Sequence, residues 1–293
     1  LSIFSYYTDI LQTQKNINIL KENVELQKKT YEQVHIQYLN NKKTVYELQA
    51  SQIDTLTALT DLMELEKTLF SKRQELFQIL GIQDAGYDFD DISLAENSDS
   101  DQAFTDNLKI QMSDLNLLQN KFSLEQSFLT MYPNLYFSYS YNLGVTDSKA
   151  DKLFKPAEYG DNYTYGIYFT YPLFSFLDNG TRYNIQKRQY QIMELNHKDL
   201  KEQQQVKYQQ ALNDLKVSRQ SYDIYKKKAE LSKINLEISQ QRFELGVVNM
   251  LDLDKSRIQY LEAQLNMNAK YYTLLKKQQE VCYLLSGKVL GKW

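Results

Sequence analysis

The residues that could make or break bonds are few. Two histidines, His35 and His197, stand 162 positions apart, and Cys282 is the sole cysteine. A metal site needs several His, Cys or carboxylate ligands at short spacing, and nucleophilic catalysis needs a base beside the nucleophile. Neither spacing occurs, and there is no glycine-rich phosphate loop. Each histidine reads as a helix-surface or seam residue, and a lone cysteine excludes an internal disulfide. No catalytic, metal or cofactor site is expected, so the chain does not read as an enzyme. Lys+Arg number 34 against 37 Asp+Glu, a net charge of -3. That balance offers no basic stripe for nucleic acid.

The elements explain where function must lie instead. Of the 9 glycines and 3 prolines, Pro133, Gly144, Pro156, Gly160, Gly166, Pro172 and Gly180 fall in one segment, leaving residues 1–80, 181–245 and 247–286 almost free of breakers. An α/β enzyme must turn every ten to fifteen residues or so, and this sequence does not. Residues 181–245 read as one helix, which at ~1.5 Å per residue would run about 97 Å. Two apolar series recur along it every seven residues, Tyr208, Leu215, Tyr222, Ala229, Leu236, Phe243 and Val217, Ile224, Leu231, Ile238, Leu245. Their offset places them on nearly opposite flanks. A two-stranded coiled coil needs one seam, whereas a stave in a wall needs two. No run reaches the ~18 apolar residues of a membrane helix. A membrane role would have to use strands or surface contact.

Near Gly246 the helical pattern breaks, then resumes at about Asn249. The stretch RFELGVVNMLDLDKS reads as a helix, a tight left-handed turn and a returning antiparallel helix. Asn249 and Asp252 are types that suit a helix start. Residues 25–81 align without a gap onto 230–286 at an offset of 205, with Glu25/Glu230, Leu48/Leu253, Ser51/Ser256, Ala58/Ala263 and Leu80/Leu285 among the identities. Two helical hairpins of one design follow, with Asn41 standing where Gly246 stands. Between them QDAGYDFDDISLAENSDSD carries seven acids and no base, and reads as a solvated linker.

After Pro133 the period changes to two. In one run Leu135, Phe137, Tyr139, Tyr141 and Leu143 alternate with small or polar residues; in the next Tyr163, Tyr165, Ile167, Phe169, Tyr171 and Leu173 do the same. Each is about ten residues, the length of a membrane β-strand with one face to lipid and one to water. A soluble hairpin packed on a helix would also alternate, but no helix has a spare wide apolar face for it. A lone hairpin cannot cross a bilayer with open edges, so closure needs more strands and several chains. Subtracting 205 places an equivalent hairpin upstream of residue 1, and the helix-like opening LSIFSYYTDI fits the expectation of an upstream portion.

Taken together, YPNLYFSYSYN, YPLFSFLDNGTR, RFELGVVNMLDLDKSRIQYLEAQ and its repeat IQYLNNKKTVYELQASQIDTL resemble the TolC-like outer membrane efflux protein family, over almost the whole chain. The resemblance implies a mainly α fold with a β-hairpin. Long antiparallel helical hairpins would form a trimeric periplasmic α-barrel, and the strands would contribute to a shared 12-stranded outer-membrane β-barrel, within the range of membrane barrels. It implies a passive exit duct in the outer membrane of a Gram-negative bacterium. The partners would be two further copies, the lipid bilayer, a periplasmic adaptor protein and an inner-membrane pump, whose choice of cargo the duct follows. The row from Leu135 to Tyr171 would face lipid. The tip residues Asn41, Thr44, Gly246, Val247 and Asn249 would meet the adaptor.

The resemblance also sets acids at the narrow end of the tube, at Asp252 and Glu47. In a trimer they would give up to six carboxylates that attract cations and raise one another's pKa. The plainer reading of each is a helix N-terminal acid. The family's basic position is Val248 in the second repeat and Lys43 in the first, and Lys255 stands where a second acid is usual. The expected organisation is a first helical hairpin over 1–81, the acidic linker over 82–104, a helix over 105–131, the β-hairpin with its extracellular loop over 132–174, the second helical hairpin over 175–286 and a tail over 287–293. The competing reading is a soluble coiled-coil scaffold whose β-hairpin binds a partner.

Overall fold

The computed structural model describes residues 2–92, 108–144, 160–171, 174 and 176–286. Along the chain run α1 (Ser2–Leu39), α2 (Val45–Leu80), α3 (Leu108–Leu129), β1 (Asn134–Gly144), β2 (Gly160–Thr170), α4 (Phe176–Glu244) and α5 (Met250–Ser286). The protein is thus mainly α with one antiparallel β-hairpin. The loop expected between the strands and the C-terminal tail lie outside the described residues. The chain divides into one unit of residues 1–107 with 204–293 and a second of residues 108–203.

In the first unit, heptad spacing decides which helix flanks are covered. Helix α1 is covered on two flanks, by one series through Ile10, Ile17 and Val24 and another through Thr13, Leu20, Gln27 and Val34, and it packs against both α2 and α5. Helix α4 is covered on one only. Tyr208, Leu215, Ala229, Leu236 and Phe243 are buried with Tyr222 packed beside them, while Val217, Ile224, Leu231, Ile238 and Leu245 are exposed. Helix α2 likewise leaves Leu56, Met63 and Phe70, seven apart, in the open. The stave pattern is therefore complete on α1 and half-used on α2 and α4. The core is a series of small clusters, with Val34, Leu236, Phe243, Met250 and Leu253 next to the helix ends and Leu11, Tyr272 and Leu275 further along.

Two expectations are corrected. Helix α4 begins at Phe176 rather than 181, because a single interior glycine, Gly180, costs only about 1 kcal/mol relative to alanine and cannot stop a helix. Of the acidic stretch, residues 82–92 are irregular but not simply solvated. Arg73 grips Asp84 through two hydrogen bonds of 2.7 Å, Phe89 packs with Tyr7 and Phe77, and Tyr7 donates to the Asp90 carbonyl. Its aromatic residues at 87 and 89 supply the apolar anchor that an acid count hides. Residues 93–104 lie outside the described set.

In the second unit, α3 ends at Leu129, four residues before Pro133, whose ring disfavours helix in the residue before it. Asn179 donates to the Thr130 carbonyl, and Phe128 packs on Tyr132 and Tyr183. Leu108, Leu115, Phe122 and Leu129 form another exposed row at seven-residue spacing.

Candidate functional site

The two helix-hairpin turns are built alike down to single hydrogen bonds. Asn41 has φ of 57° and Gly246 has φ of 73°, both left-handed. The Asn41 N–H donates to Tyr38 and the Lys42 N–H to Gln37; 205 residues on, Gly246 donates to Phe243 and Val247 to Arg242. This pair of bonds satisfies carbonyls that a helix end leaves open. Each return helix then starts on a capping side chain. The Thr44 hydroxyl accepts from the Glu47 N–H at 3.3 Å, and Asn249 Oδ1 accepts from the Asp252 N–H at 2.8 Å.

The side chains diverge where the backbones agree. Glu47 folds back to accept from the Thr44 N–H and hydroxyl, and takes Lys43 Nζ at 2.8 Å, closing a capping box. Lys43 also lies 5.2 Å from the Phe243 ring centre, so the two turns are neighbours. Asp252 is one methylene shorter and its exposed carboxylate has no partner among the described residues, nor has the exposed Lys255 ammonium. Within the single chain, Glu47 already has a cationic partner. The hydrogen bond from Lys43, followed by that from Thr44, holds its carboxyl below the usual range. Within one chain Asp252 is the carboxylate left free to act.

Sequence reasoning passed over two further residues. Tyr46 and Leu251, 205 apart, sit in the first turn of α2 and α5 and are 80% and 75% exposed. The repeat could have revealed them, since a large apolar side chain at a solvent-facing first turn in both copies serves no core.

In the β-hairpin the register decides the faces. Leu135 pairs with Phe169, Phe137 with Ile167, Tyr139 with Tyr165 and Tyr141 with Tyr163, which brings the two apolar rows onto one exposed face. Tyr171 lies just past β2, and the Leu143 side chain is outside the described residues. The other face pairs Ser138 with Gly166, Ser140 with Thr164 and Asn142 with Asn162. There Tyr136 and Tyr168 stack at 5.1 Å, and a Cβ at Gly166 would meet the Tyr168 ring at 3.0 Å. Glycine at that position lets the ring lie flat.

One cluster superficially suggests catalysis. His197 Nδ1 is 3.0 Å from Ser113 Oγ and its Nε2 is 3.0 Å from Asp114 Oδ1. These are the residue types of a hydrolytic triad. Ser113 and Asp114 are, however, adjacent in the interior of α3, where backbone N–H groups are engaged in the helix and none can stabilise an oxyanion. The cluster joins α3 to α4, a seam role for His197.

The chain belongs to the outer membrane efflux protein family, whose profile matches residues 101–286. No curated protein matches the chain in sequence. Among solved structures, the CmeC outer membrane channel of Campylobacter jejuni is 20% identical with a TM-score of 0.75, over 99% of this chain and 62% of that one. The outer membrane protein VceC of Vibrio cholerae is 14% identical with a TM-score of 0.76, over 97% and 68%. The open state of the MtrE outer membrane channel of Neisseria gonorrhoeae is 14% identical with a TM-score of 0.67, over 97% and 65%. The chain thus spans about two thirds of the length of these channels.

Proposed function

We propose that the chain is a subunit of a passive trans-periplasmic exit duct of a tripartite efflux or type I secretion system. Three copies close a periplasmic α-barrel from their helical hairpins, and their strands make a shared outer-membrane β-barrel. The observation that carries this reading is the hairpin register, which sets four apolar cross-strand pairs on one exposed face and, beside a stacked Tyr136–Tyr168 pair, serine, threonine, asparagine and glycine on the other. A soluble domain that left such a face bare would aggregate, whereas lipid outside and water inside satisfy both faces. The exposed heptad rows on α2 and α4 support the same assembly, because each is an unfilled half-seam suited to a neighbouring subunit.

The paired turns then stand at the periplasmic end. Asp252 lines the aperture as the free carboxylate. Exposed Tyr46, Val247 and Leu251 sit beside Asn41, Thr44, Gly246 and Asn249 as an apolar docking rim for a helical adaptor, through which an inner-membrane pump delivers cargo. Light scattering and electron-microscope projections of the protein extracted in detergent test the reading. A trimeric tube with a detergent belt at one end is expected. A soluble rod without a belt would overturn it and leave the β-hairpin as a partner-binding module.

A further inference from the structure

The polar face of the β-hairpin carries a feature that a merely water-wetted wall does not need. Between two cross-strand pairs of small residues, Asn134–Thr170 and Ser138–Gly166, stand the rings of Tyr136 and Tyr168. Among the described residues of this face none is charged, and these two alone are aromatic. The rings face each other across the strands with centres 5.1 Å apart and planes 15° from parallel, yet Tyr136 is 52% exposed and Tyr168 45%. Gly166 sets the stack. A Cβ there would meet Tyr168 Cε2 at 3.0 Å and Cζ at 3.2 Å, so any side chain at that position would displace the ring. Strand pairing does not call for this arrangement, because a β-branched pair serves a ladder as well and leaves no ring surface in water. The small flanking residues instead keep the pair open to a molecule approaching along the strands.

We propose that the Tyr136–Tyr168 pair is a capture site for flat aromatic cations, which dock by extending the stack and setting their positive charge against the ring faces. The chemistry of the face selects that class. It has no ionised side chain to hold a compact ion, whereas a tyrosine ring carries a negative face that attracts cations and an apolar surface that stacks on planar ligands. An aliphatic cation gains only the first of these contributions and a neutral ring only the second. The pair sits at the end of the hairpin that joins the helices, since β1 starts at Asn134 after α3 and β2 ends at Thr170 before α4. The inference rests on the duct reading for its setting. Three copies place three such pairs at one level of the barrel lumen, where cargo leaves the helical tube.

Fluorescence anisotropy of proflavine, a planar aromatic cation, with the detergent-extracted protein tests the site itself. The wild type should bind proflavine saturably, above the detergent alone, and putrescine, a cation without a ring, should compete poorly. The double variant Tyr136→Ser, Tyr168→Ser should weaken binding by about tenfold or more, the scale of one lost aromatic stack. Tyr136→Phe with Tyr168→Phe should retain it, because the rings remain. Gly166→Ala keeps both tyrosines but displaces one ring, so it should also weaken binding, and it decides the matter if the serine variant does not fold. No saturable binding by the wild type, or binding unchanged in Gly166→Ala and the serine variant, would overturn the proposal. Planar-bilayer conductance separates the site from the duct. Proflavine should interrupt the current of the wild type and the phenylalanine variant but not that of the serine variant. A conducting protein that proflavine does not block through these tyrosines keeps the duct and loses the site. One that binds proflavine through them and does not conduct keeps the site and loses the duct.

Discussion

At the two helix turns, residue chemistry sets the stability of equivalent backbones in different ways. Gly246 holds φ of 73° and a Cβ there would meet nothing within 4 Å, so Gly246→Ala should cost only the left-handed penalty, about 1–2 kcal/mol by thermal unfolding in detergent. Asn41→Gly, at φ of 57°, should change little. The acids separate more sharply. Because Lys43 and Thr44 lower the pKa of Glu47, its contribution is present above its unfolded value near 4.5 and is lost as pH falls through the folded one. Glu47→Gln retains a capping-box partner but not the charge. The variant should therefore be less stable than wild type at pH 7, with the difference closing in acid. A constant difference across that range would refute the assignment.

Elements were legible in the sequence to the degree that their signals were periodic. The offset of 205 gives α1 and α4 the same last residue, Leu39 and Glu244, and gives α2 and α5 the same first, Val45 and Met250. Period two put the apolar rows of β1 and β2 on one face, although only the register could say that Leu135 meets Phe169. What escaped was long-range and aperiodic. The grip of Arg73 on Asp84 involves single residues with no spacing to betray it, and the anchoring of residues 82–92 depends on aromatics submerged in an acidic run. The strand faces make a direct prediction. Ile167→Arg, on the apolar face, should cost about 2–4 kcal/mol of membrane stability, whereas Thr164→Arg on the polar face should cost far less. Folding titrations into vesicles compare them, and equal costs would favour a soluble hairpin.

For the whole molecule, the decisive feature is the inequality between the two flanks of α4. Leu236 and Phe243 are buried within the chain, whereas Leu231 and Ile238, on the other heptad series, are open. If both flanks served only the monomer, substitutions on either would reduce its stability alike. If the open flank is a subunit seam, the effects divide. Leu236→Ala should destabilise the chain by about 2–5 kcal/mol as a core truncation. Leu231→Glu should leave the helical hairpin's own unfolding within about 0.5 kcal/mol, as an exposed substitution does. The same Leu231→Glu change should break the assembly, because a carboxylate buried in an apolar seam without a partner is costly. Native mass spectrometry in detergent distinguishes the cases. A trimer in the wild type, a folded monomer in Leu231→Glu and a weakened but still trimeric Leu236→Ala would assign the exposed row to subunit contact. A Leu231→Glu variant that remains trimeric would place the seam elsewhere, on the uncovered row of α3 through Leu115 and Phe122.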